Sequence, residues 1–61
     1  MAKYKVTVPP TREQGSYTTI VSGPDYRKDA LWDYNSCRAH DGLQPLQRMP
    51  AGTVYTRIKG V

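Results

Sequence analysis

Polar and apolar residues alternate from Lys3 to Val8, with Tyr4, Val6 and Val8 on one side and Lys3, Lys5 and Thr7 on the other. A period of two marks a half-buried strand, and Pro9-Pro10 ends it by removing the backbone donors that a strand needs. Thr11-Arg12-Glu13-Gln14-Gly15 reads as a polar hairpin connection. Tyr17-Thr18-Thr19-Ile20-Val21 follows, rich in β-branched and aromatic residues, and predicts a second strand whose inward face the pattern leaves ambiguous.

The period then changes. Ser22-Gly23-Pro24-Asp25 is a helix entry, in which either Ser22 caps with Asp25 three residues later or Asp25 is itself the cap. The helix is expected to reach Ala39 or His40, where Asp41-Gly42 supplies a stop. At about 100° per residue, Tyr26, Ala30, Leu31, Tyr34 and Cys37 share a sector of roughly 140°, suited to packing on a sheet. Trp32 lies about 160° from the centre of that sector, among Lys28, Asn35 and Ala39. Gly42 to Pro50 reads as a loop carrying Leu43, Leu46 and Met49, interrupted by Pro45. A third strand is predicted from Thr53 to Lys59, with Val54, Thr56 and Ile58 facing the core and Thr53, Tyr55, Arg57 and Lys59 facing away.

The order strand, strand, helix, strand predicts an α+β fold of ββαβ topology. A hairpin and a right-handed crossover place the third strand antiparallel beside the first, giving a three-stranded antiparallel sheet of order 2-1-3 with one helix packed on one face. The 61 residues are expected to form a single small domain with a small core.

Charge adds a polarity to this picture. The net +4 arises at the ends: Lys3, Lys5 and Arg12 stand near the start, Arg48, Arg57 and Lys59 near the finish, while four aspartates against three cations leave −1 in 25–41. A basic excess of this size suits nucleic acid, an acidic protein surface, or plain solubility. The lone Cys37 cannot form an internal disulfide, and no span-length apolar run or signal-peptide pattern is present, so a soluble cytoplasmic protein without membrane association is expected. Cys37, His40 and Asp41 lie close together, but one histidine and one core-facing cysteine make too few ligands, and no phosphate-loop glycine spacing occurs. No enzymatic activity, metal or cofactor is expected.

The candidate contacts are therefore binding residues. Arg57, Lys59 and Tyr55 on the third strand, joined by Lys3 and Lys5 from the central one, are expected to form a basic, partly aromatic patch on the open sheet face. Trp32 is either an exposed interface anchor or is covered by Leu43, Leu46 and Met49. The area needed by a small core favours the cover.

The ending Pro50-Ala51-Gly52-x-x-x-Thr56-Arg57-x-Lys59, with the Asp29-Ala30-Leu31 segment and the Trp32-x-Tyr34 pair, resembles the small proteins with which short-tailed lytic phages inhibit host RNA polymerase. That family's last strand follows a Pro-Ala-Gly turn and carries Thr-Arg-x-Arg. The resemblance implies a phage-encoded regulator acting in the host cytoplasm as a monomer. It would bind the jaw of the polymerase β′ subunit and help hold the acidic N-terminal region of the sigma factor in the DNA channel. Arg57 would then be the principal anchor. Lys59 stands where the family has a second arginine and lacks its bidentate fork. Two other readings of the same residues are a small nucleic-acid-binding module and a phage structural or accessory subunit pairing through a strand edge.

Overall fold

A computed structural model describes residues 2–59. Strand β1 (Lys3–Val8) lies between β2 (Tyr17–Ser22) and β3 (Val54–Ile58), antiparallel to both, so the sheet has the order 2-1-3. Helix α1 (Tyr26–His40) crosses one face of it. The ββαβ topology and the single helical layer are those the sequence predicts.

Directly opposed residues in an antiparallel sheet share a face, so the register assigns every side chain. Tyr4, Val6 and Val8 share the helix side with Val21, Thr19 and Tyr17 of β2 and with Arg57 and Tyr55 of β3. Lys3, Lys5 and Thr7 share the open side with Ser22, Ile20 and Thr18, and with Ile58, Thr56 and Val54. The third strand is thus the reverse of the expectation. Val54 and Thr56 face outward, Val54 being 54 % exposed, while Tyr55 packs against the core. The reason is area: a tyrosine ring opposite Val6 removes more apolar surface from water than a valine would, and one residue of slip inverts a whole strand.

The fully buried core is Val6, Val8, Ala30 and Tyr34, with Tyr17, Val21, Leu46, Met49 and Tyr55 packed around it. The predicted helical sector places Ala30 and Tyr34 correctly. Since β2 continues through Ser22, the helix cap falls at Asp25, the later of the two candidate starts. At the other end Gly42 adopts φ +77°, its N–H donates to the Ala39 carbonyl at 3.0 Å, and the Leu43 N–H donates to the Arg38 carbonyl at 2.8 Å. This is the Schellman arrangement, and glycine enters the left-handed region without the cost a Cβ would add.

The 42–50 loop is drawn onto the core, not over Trp32. Asn35 clamps it, its Nδ2 donating to the Leu46 carbonyl and its Oδ1 accepting from the Leu46 N–H, both at 2.9 Å. Leu46 and Met49 then join the core beside the helix. Trp32 points elsewhere and stays 73 % exposed, so the cover predicted for it does not form. The loop ends in a turn in which the Thr53 N–H and hydroxyl both donate to the Pro50 carbonyl, at 3.3 and 2.6 Å. Gly52 supplies the positive φ at its third position, where a Cβ would stand 3.3 Å from Pro9 Cγ.

Candidate functional site

Three tyrosines meet on the helix side: Tyr4 near the start of β1, Tyr26 at the start of α1 and Tyr55 near the start of β3. Tyr4 stacks on Tyr26 with ring centroids 3.8 Å apart and 15° between planes. Tyr55 meets Tyr26 edge-on at 5.8 Å and 72°. Each ring arrives by a different route: Tyr4 and Tyr55 through the sheet register, Tyr26 as the first helical residue. Offset and edge contacts of this kind set the positive rim of one ring against the negative face of another.

One guanidinium group packs on this cluster and a second stands beside it on the sheet. The Arg27 Cζ lies 5.4 Å from the Tyr55 ring centroid and 5.8 Å from that of Tyr26, and its Nε donates to Tyr26 Oη at 3.3 Å. That hydrogen bond raises the Arg27 pKa above its ordinary value; an arginine is in any case cationic throughout the accessible pH range. Arg57 is exposed on the same side of the sheet, directly opposite Tyr4. Among the described residues the one ion pair within 4.0 Å joins Arg38 to Glu13, at the far end of the helix. Among the described residues, neither Arg27 nor Arg57 therefore spends its charge on a carboxylate. No family model matches the chain, and neither a curated protein nor a solved structure matches it.

The predicted patch is consequently divided between two faces. Arg57 and Tyr55 stand on the helix side, Lys3 and Lys5 on the open side with Ile20, Val54 and Ile58, and Lys59 is exposed just past β3. They still crowd one end of the sheet, because Lys3 is opposite Ile58 and Tyr4 opposite Arg57. Trp32 is exposed on α1 and lies outside the core cluster. Arg27 and the Tyr4–Tyr26 stack are absent from the sequence reading. The one available signal is that Arg27 directly follows the aromatic residue that opens the helix.

Chemically the cluster suits an anion. An arginine fork beside apolar rings holds carboxylate or phosphate groups, and the rings add contact area at small entropic cost. One face each of Tyr4 and Tyr26 is spent on the other, which reduces the ring surface left for stacking a base. Among the described residues no group of three histidines, cysteines or acids could hold a metal ion, and no helix is long and apolar enough to cross a membrane.

A second polar cluster fixes the helix on β2. The Asp33 carboxylate accepts from Tyr17 Oη at 2.9 Å and from Thr19 Oγ1 at 2.6 Å. Burial, and then this carboxylate, push the Tyr17 phenol above the ordinary tyrosine value. A raised folded-state pKa contributes stability that is complete below the unfolded value near about 10 and is lost as pH climbs through the folded one. Tyr17→Phe is therefore expected to cost about 1 kcal/mol at pH 7 through the lost hydrogen bond, yet to shrink the fall in Tm between pH 9 and pH 11. Thermal melts of both proteins at the two pH values check this, and an unchanged alkaline loss would remove Tyr17 as its source.

Proposed function

We propose that the chain is a non-enzymatic, phage-encoded regulator that acts in the host cytoplasm by binding host RNA polymerase and inhibiting transcription. The observation that carries the reading is two exposed arginines, Arg27 packed on the tyrosine rings and Arg57 opposite Tyr4, neither engaged by a carboxylate among the described residues. Such a group gains most from an acidic partner surface, since its cations give up only water on docking. The Pro50-Ala51-Gly52 turn leading to Thr56-Arg57-x-Lys59 supports the naming of the partner, the β′ subunit together with the sigma factor. Arg57 is the principal anchor in this reading, with Arg27 taking the place assigned from sequence to Lys3 and Lys5. Lys59 extends the positive strip beyond the end of β3, and Tyr55 supplies its apolar floor.

The test is affinity for purified host polymerase, with and without sigma, measured beside promoter-dependent transcription. Arg57→Glu and Arg27→Glu should each weaken binding and inhibition by about ten- to a hundredfold, because rim charges reversed against an acidic surface repel it. Circular dichroism should show both variants folded, since neither side chain is buried. Parent-like binding and inhibition by both would overturn the reading. Loss of affinity for bare DNA or RNA, with polymerase affinity untouched, would favour the nucleic-acid module instead.

A further inference from the structure

We propose that the cleft between the 13–17 segment and the last turns of α1 is a second binding site, for a compact cationic hydrogen-bond donor: a guanidinium or alkylammonium group. The cleft holds about 350 Å³, and Glu13, Gln14, Tyr34, Cys37 and Asp41 are among its lining residues. Two oxygens of this lining, Tyr34 Oη and Gln14 Oε1, are buried with no hydrogen-bond partner, and Tyr34 as a whole is fully buried. Buried polar groups are almost always paired; Gln14 Oε1 can only accept and Tyr34 Oη can accept as well as donate, so a donor placed in the cleft serves both.

The chemistry of the lining selects the sign of the ligand. Gln14 spends its amide nitrogen on Asp41 Oδ2 at 3.0 Å and on Cys37 Sγ at 3.8 Å. An ionised carboxylate only accepts, so the amide cannot flip, and Oε1 is left as a pure acceptor. Glu13 uses Oε1 for Arg38 and has a second oxygen free. No lysine, arginine or histidine lines the cleft, while two carboxylates do. The C-terminus of α1 ends here and adds its own partial negative charge. Glu13 is already paired to Arg38, so among the described residues Asp41 carries the lining's uncompensated charge, about 15 Å along the helix from the basic cluster, counted from Arg27 to Cys37. The site is independent of the polymerase reading.

Titration of the 15N-labelled full chain with methylguanidinium, with ethylammonium and with a blocked arginine tripeptide tests it, urea serving as the uncharged isostere. The cations should give saturable shifts at the Gln14 side-chain amide and at backbone residues 13–17 and 37–41, at millimolar concentration, and urea should bind about tenfold or more weakly. A tripeptide tighter than methylguanidinium identifies the source as a side chain of a protein partner; equal affinities identify a free small cation. Tyr34→Phe, which keeps the ring and the fold, should weaken binding about tenfold, and Asp41→Asn, at an exposed position, about fivefold. Absence of saturable shifts up to about 50 mM, an equal response to urea, or unchanged affinity in both variants would overturn the proposal.

Discussion

Tyr34→Ala is expected to be largely unfolded in water at 25 °C. Tyr34 is the largest fully buried side chain, packed with Val6, Val8 and Ala30 and tilted against the Tyr17 ring at a centroid distance of 5.4 Å. Truncating a buried aromatic residue to alanine costs about 3–5 kcal/mol in lost transfer energy and residual cavity. A chain of this length has about 3–9 kcal/mol of stability in total. Among the described residues four make up the fully buried core, so few neighbours can relax into the space. Urea unfolding followed by far-UV circular dichroism measures the effect, with Tyr34→Phe as a control that retains the ring. A cooperative transition for Tyr34→Ala within about 1 kcal/mol of the parent would show that the helix is held on the sheet by something other than this ring.

Arg38→Ala is expected to cost about 3 kcal/mol, far more than an ordinary surface arginine. Arg38 is 3 % exposed; its Nε donates to the Gln44 carbonyl at 2.6 Å and its Nη1 to Glu13 Oε1 at 2.9 Å. One side chain thereby ties the β1–β2 connection and the 42–50 loop to the helix. Glu13 is half exposed and regains water when the arginine is removed, so the loss comes chiefly from the buried stem and the Gln44 hydrogen bond. Arg38→Met keeps the stem and should recover about half of the loss. Removing the other partner is the sharper test. Glu13→Ala leaves a buried guanidinium without its anion and should cost about 2 kcal/mol, above the 0–1 kcal/mol typical of surface pairs. Hydrogen exchange at the Leu46 amide should quicken in both alanine variants. Stability losses below about 0.5 kcal/mol in each would mean that the pair contributes no more than a surface one.

Much of the fold is legible in the sequence because it rests on local periodicity. Alternation in Lys3–Val8, the turn residues at 9–15 and the Asp41-Gly42 stop locate their elements without reference to the rest of the chain. Arg38 was legible in part: it stands four residues after Tyr34 and eight after Ala30, inside the apolar sector, yet a charged side chain there reads as a solvated one. Its burial depends on Glu13 and Gln44, which reach it only through the folded loops. Trp32 is the opposite case. Helical periodicity alone places it in solvent, and the loop expected to cover it is held elsewhere by Asn35.

The candidate site divides along the same line. That Arg57, Lys59, Lys3 and Lys5 gather at one end follows from the strand order, which the sequence by itself determines. Which of them share a face does not follow, since Val54-Tyr55-Thr56-Arg57-Ile58 offers an aliphatic set on one side and a large aromatic on the other. Only the tertiary structure decides between the two. The Tyr26 ring at the start of α1 lies against the Tyr55 side of the strand, so burial there outweighs the more regular aliphatic pattern on the reverse. Local chemistry chooses the elements through periods of two and 3.6; the face each presents is chosen by what packs against it, a non-local energy that no single segment of the chain contains.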